Sequence, residues 1–167
     1  LSSIDRNSTY ENAVDSLYSQ RTSTALAESW SLDSLELYNM AKVKYRGHTA
    51  SDEQKLTTAN TMGGWFDPDR ASDFYNYKNS REDMAMIFEE AMMKYHYNID
   101  RDIAFAPIPD DDSPRCDDYK IAWGVRNRIA DPQVVERAEF VIERLIPDHA
   151  AEAIAYFYEL GSATDIP

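Results

Sequence analysis

The sequence predicts a mainly α fold, a single compact multi-helix domain spanning residues 1–167. Three observations predict it: helix-start signals that recur along the chain, apolar residues repeating at helical spacing, and poor strand signals. The 167 residues are enough for one domain with a real core. The expected count is six to eight helices.

Taken in order, Ser8-Thr9-Tyr10-Glu11 fits a capping box and opens a helix through about Ser19. Asp33-Ser34-Leu35-Glu36 opens another, and Leu35, Tyr38 and Ala41 follow on one helical face. Ser51-Asp52-Glu53-Gln54 opens a third. Ser80-Arg81-Glu82-Asp83 opens the longest, within residues 76–100, and residues 81–97 are expected to be the most buried helix. Asp131-Pro132 places a cap before a proline at the first helical position, and Val134, Ala138, Val141 and Leu145 then keep an apolar stripe. Pro147-Asp148 ends that helix and opens the last, with Gly161 as its C-terminal stop. "IAFAPIP", residues 103–109, contains two prolines and reads as an extended loop. "PDDDSPRCDDY" (109–119), "GHTASD" and "MGGWFDPDR" also read as loops.

Net charge is −13, from 30 acidic and 17 basic residues, which argues against nucleic acid and against anionic membrane surfaces. The charge fits simple solubility or a preference for cationic or metal ligands. No apolar run approaches the ~20 residues needed to span a bilayer, so no transmembrane segment is expected. One cysteine, Cys116, allows no internal disulfide and reads as a small buried or loop residue. The chain opens on Leu1 rather than Met and shows no signal segment, which suggests a processed or trimmed chain.

The long helix raises the chemical question. On a wheel at ~100° per residue, Met84, Phe88, Ala91 and Tyr95 form one face, with Met86 and Met93 opposite beside Glu82. The helix is therefore expected to be covered on both sides. Glu82, Glu89 and His96 recur at seven-residue spacing and lie in one line. Spacing allows two readings. Glu82 and Asp83 serve the helix N-terminus while Glu89 and Glu90 reach solvent or an arginine, or a buried carboxylate is neutralised by a metal.

Other constellations are thin. The histidines, His48, His96 and His149, form no i+3 or i+4 pair, and there is no H-E-x-x-H, Cys-x-x-Cys or His-x-His. A calcium loop counted from Asp67 fails, because its sixth position is Ser72 and its twelfth is Lys78. Asp110, Asp111 and Asp112 read first as a solvated acidic loop. No Gly-rich phosphate loop or G-x-S-x-G elbow is present.

The run "RASDFYNYKNSREDMAMIFEEAMM", residues 70–93, resembles the distal half of gluzincin-type zinc metallopeptidases of the bacterial cell envelope. In that family H-E-x-x-H on one helix supplies two histidine ligands and the catalytic glutamate, and a later helix of the form S-x-Y-A…E-D-F-A-E-x-F supplies a glutamate ligand. The matching residues are Ser72, Tyr75, Glu82-Asp83-Met84-Ala85 and Phe88-Glu89. The resemblance implies a zincin-like distal half in which Glu82 is a zinc ligand. It also implies that Asp83 supports that ligand or caps the helix, and that Glu89 and His96 help to orient ligands or their neighbours. Tyr75 and Tyr77 are the candidates for steadying an oxyanion. It further implies zinc in the complete protein, none in this chain alone, a peptide or protein substrate, and a periplasmic or extracellular location. The H-E-x-x-H helix is not in this sequence, so the chain is read as the C-terminal part of a longer enzyme, inactive by itself. The competing readings are a non-enzymatic acidic helical module of the envelope, binding a protein or glycan through its acidic surface and its 11 tyrosines, and a purely structural domain without a ligand.

Overall fold

A computed structural model describes residues 21–166. Among these are seven α-helices: α1 (Thr22–Ser29), α2 (Leu35–Arg46), α3 (Asp52–Leu56), α4 (Ala59–Phe66), α5 (Ser80–Tyr97), α6 (Pro132–Leu145) and α7 (Ala150–Glu159). The mainly α expectation holds. Short 3-10 turns at Phe74–Lys78, Cys116–Asp118, Arg128–Ala130 and Pro147–His149 connect or extend the helices. The helix expected over Ser8–Ser19 lies outside the described residues.

Most helix starts follow their sequence signals. Ser34 accepts the Leu37 amide at the head of α2, and Gly47 ends that helix in the left-handed region at φ 69°. Ser51 and Gln54 form a full capping box for α3. Asp131 caps α6 ahead of Pro132, and Gly161, at φ 84°, follows α7. The cap of α5 is Asn79 rather than Ser80. Its side chain accepts from the amides of Arg81 and Glu82, so the helix begins at Ser80 itself.

Two expectations about the backbone are corrected. Residues 103–105 are not loop: β1 (Asp102–Phe105), β2 (Trp123–Arg126) and β3 (Thr164–Asp165) form an antiparallel sheet in the order β1-β2-β3, with Ile103 opposite Val125. Pro107 and Pro109 fall after β1 ends, so they never interrupt its ladder. "MGGWF" is not loop either, because it is the body of α4, capped by Thr58. Its glycine has a packing cause. A Cβ on Gly63 would stand 2.1 Å from Cγ of Trp123, so α4 can seat against β2 only where a side chain is missing.

The interior is two apolar clusters. The first joins Leu26 of α1, Ile87 and Ala91 of α5, Val134, Val135, Ala138, Val141 and Ile142 of α6, Ala153 and Phe157 of α7, and Ile129. The second joins Leu37 and Ala41 of α2, Phe66 of α4, Ala71, Tyr77, Ile103 and Val125. The most buried helix is α6 rather than residues 81–97. In α6 Val134, Ala138 and Val141 are fully buried, as their stripe requires, though Leu145 is 40% exposed. In α5 the Met84, Phe88 and Tyr95 face packs on the first cluster, but Met93 is exposed, so the helix is not covered on both sides.

Candidate functional site

The buried line of α5 is Asp83, Ile87, Glu90, Ala91 and Lys94. This line sits about one residue round from the predicted line of Glu82, Glu89 and His96. The carboxylates that enter the protein are therefore Asp83 and Glu90. Glu89 is exposed and ion-paired with Arg101, as the arginine alternative anticipated for it, whereas Glu90, expected to reach solvent or an arginine too, is buried and bonded to the Ile129 amide. His96 is exposed beside Tyr95 and Tyr97. Fourteen residues at ~1.5 Å rise put His96 ~21 Å along the axis from Glu82, and Glu89 stands about half as far. Neither reaches an ion held by Glu82.

Glu82 stands at the junction of the Phe74–Lys78 turn and the first turn of α5. Its Oε1 accepts from the Lys78 ammonium at 2.9 Å and from the Tyr75 hydroxyl at 3.3 Å, and Lys78 also donates to the Tyr75 oxygen. The Lys78 ammonium lies 4.6 Å from the Tyr75 ring centre, and that ring meets Tyr45 edge-on at 4.9 Å. Hydrogen bonding to Lys78 is the main cause that lowers the Glu82 pKa, and bonding to Tyr75 is the main cause that raises that of Lys78. Glu82, expected to face inward, is one-third exposed and already compensated by an ammonium.

Asp83 turns the other way. Its Oδ1 accepts from Asn76 at 2.8 Å and its Oδ2 from Arg137 at 2.5 Å, inside the protein. Burial raises its pKa, and the Arg137 charge pulls against that rise. The two predicted tyrosines also part. Tyr75 touches Glu82, whereas Tyr77 is buried and donates to Asp69 at 2.8 Å. Burial and the Asp69 charge hold the Tyr77 proton far more firmly than an ordinary phenol holds one, so Tyr77 is a structural donor.

Asp69 is a hub the sequence reading missed. It accepts the amides of Asp33, Ser34 and Arg70 as well as the Tyr77 hydroxyl. Arg128 and Arg137 were missed too. Arg128 donates to the carbonyls of Phe66, Asp67, Asp69 and Ala71, and Arg137 to the carbonyl of Arg70. Both arginines are almost wholly buried and join the two apolar clusters through backbone oxygens. Glu90, 2% exposed, accepts the Ile129 amide at 3.0 Å on Oε1 and lies beside the Ser72 hydroxyl, while its Oε2 is sealed from solvent. Burial pushes its carboxyl up to about 7, against the opposing pull of Arg101. The sequence did carry a signal for Glu90, which falls at i+3 from Ile87 and i−1 from Ala91, on the buried arc.

Among the described residues no three His, Cys, Asp or Glu side chains come together to hold a metal. A catalytic zinc site takes three protein ligands, so Glu82 with its lysine partner does not by itself fit that ion. His48 lines a separate cleft with Asn39, Lys42, Gln54 and Trp65, and Cys116 is exposed. No protein-family model, curated protein or solved structure matches the chain.

Proposed function

We propose that this domain is the distal helical part of a zinc-dependent metallopeptidase, contributing Glu82 as one ligand and inactive alone. The histidine pair comes from an H-E-x-x-H helix outside this sequence, and the substrate is a peptide or protein met in a bacterial envelope. The observation that carries the reading is the division of labour in the first turn of α5. Asp83 anchors the turn through Arg137 and Asn76, and the adjacent Glu82 is held at the surface beside the Tyr75 hydroxyl. An anchored turn that presents one carboxylate outward suits a ligand delivered to a second element, because the anchor fixes where the oxygen stands. The run at residues 70–93 supports the same reading.

The test uses the full-length protein. Glu82→Gln is expected to cut zinc content and peptide cleavage together, while Asp83→Asn lowers stability. Full-length Glu82→Gln protein that keeps both zinc and activity would overturn the proposal. So would submicromolar zinc binding or chelator-sensitive proteolysis by residues 1–167 alone.

A second reading, a non-enzymatic acidic module, is favoured by one observation: Lys78 and Tyr75 already satisfy Glu82, so its carboxylate needs no metal. The coding sequence upstream of Leu1 separates the two, since an H-E-x-x-H there belongs only to the first.

A further inference from the structure

Helix α2 carries two apolar lines. Leu37 and Ala41 enter the second cluster, whereas Met40 and Val43, both half-buried, line a cleft of about 370 Å³. The far wall of that cleft is α3, none of whose residues is buried. A second cleft of about 330 Å³ is lined by Gly64 and Pro68, and the two clefts share Glu36 and Trp65. Both fall within the roughly 300–1,000 Å³ of small-molecule sites. Gly64 stands in the interior of α4, where glycine destabilises a helix relative to alanine, yet a Cβ there would meet nothing within 4 Å. Gly63 makes room for Trp123, but Gly64 makes room for no neighbour in the fold. What its missing side chain keeps open is the second cleft beside Trp65. The polar groups of the larger cleft divide by kind. Asn39 accepts the Lys42 ammonium on Oδ1 at 3.0 Å, and Gln54 accepts the Ser51 amide on Oε1 at 2.9 Å. Their amide nitrogens are left as donors with no partner among the described residues. Glu36 and Glu53 are exposed acceptors that pair with no side chain among the described residues.

From this arrangement we infer that the paired clefts bind a neutral oligosaccharide across Trp65, one sugar ring in each. A hydroxyl both donates and accepts, so a sugar can serve the acceptor-only carboxylates and the donor-only amide nitrogens in one pose. An ammonium or a carboxylate ligand can serve only one of those kinds. A sugar ring also presents an apolar C–H face, which suits the strip of Met40, Val43 and Trp65 between the polar groups. Trp65 is half-buried and packs on the second cluster, so it is a contact surface already held in place. Glu36 and Glu53 outnumber Lys42, which disfavours sugar acids. Glu36, common to both clefts, stands where the two rings join. Neither cleft includes Glu82 or Tyr75, so the inference does not depend on the zinc reading.

The test titrates the ¹⁵N-labelled chain with maltose, cellobiose and diacetylchitobiose and follows the Trp65 indole N–H by NMR. The expected result is a saturable shift of that signal, and of the Gly64 and Asn39 amides, with at least one of the three. The matching monosaccharide should bind about tenfold or more weakly, because it fills one cleft only. Sorbitol, a polyol without a ring, and digalacturonate, a sugar acid, are the controls, and both should respond more weakly. Gly64→Gln fills the second cleft at a position with room for a side chain, so it should lower disaccharide affinity to that of the monosaccharide. Glu36→Ala removes an exposed carboxylate and should weaken binding about tenfold, as loss of a charged hydrogen-bond partner implies. No saturable shift with any of the three, an equal response to either control, or full disaccharide affinity in Gly64→Gln would overturn the inference. Saturable binding of tetra-alanine in place of the sugars would overturn it too, and would make the clefts a peptide groove.

Discussion

Glu90 places a carboxyl with a pKa of about 7 inside a protein whose unfolded chain ionises that group near 4.5. Between those values the folded state holds a proton that the unfolded state has lost. Stability from this group is therefore fully present below about pH 4.5, falls as pH rises to about 7, and is flat above. At about 1.4 kcal/mol per pKa unit the whole effect is on the order of 3 kcal/mol. Burial acts on Asp83 in the same direction. Urea midpoints at pH 5 and pH 8 should therefore differ, with the protein weaker at pH 8. Glu90→Gln should shrink that difference, since its amide oxygen still accepts from Ile129 and carries no charge. An unchanged difference would move the effect to Asp83. The neighbouring pair Glu82 and Asp83 shows what sequence leaves open at this scale. Both are acids in a first helical turn, and their partners separate them: Arg137, 54 residues on, and Asn76 hold Asp83 inside, while Lys78 and Tyr75 hold Glu82 at the surface.

At the scale of elements, capping residues were legible because they act locally. Ser34, Ser51 and Asp131 each bond amides two or three residues away, and a short window contains the whole interaction. The sheet was not legible for the opposite reason. β1 is a strand because it pairs with β2 across the connection formed by residues 106–122, and its own four residues carry little pattern. Helix α4 was lost because Gly63-Gly64 signals a turn locally, while the need for Gly63 comes from Trp123. The two glycines give a paired prediction. Gly63→Ala must displace Trp123 and should destabilise by about 1–3 kcal/mol, despite a helix-propensity gain of about 1 kcal/mol. Gly64→Ala meets nothing within 4 Å and should keep that gain, stabilising by up to about 1 kcal/mol. Chemical denaturation of both variants checks the signs. Equal effects would mean that α4 does not rest on Trp123.

Across the whole molecule, a chain of net charge −13 keeps two of its few cations at its centre. The sequence offered no means of telling Arg128 and Arg137 from surface arginines, because their partners are mostly backbone oxygens, which every residue carries. Arg128 matters most for how the parts cohere. It follows β2 and directly precedes Ile129 of the first cluster, yet its guanidinium closes on the Phe66–Ala71 segment that leads from α4 into the second. A planar group with five donors can serve several carbonyls at once, which neither Lys nor Met can. Arg128→Met keeps the stem's apolar volume and removes every donor, leaving buried carbonyls without partners at a cost of roughly 1–3 kcal/mol each where water cannot reach them. The loss should fall unevenly. Helices α5, α6 and α7 retain their own apolar contacts, whereas α2, α4 and the sheet lose the clamp on the segment that connects them. Hydrogen exchange in Arg128→Met should therefore speed up first at the amides of Leu37–Ala41, Ile103–Phe105 and Val125, with those of Val134–Ile142 the last to follow. A uniform rise across both clusters would mean that the domain unfolds as one unit and that Arg128 supports it globally rather than at this joint.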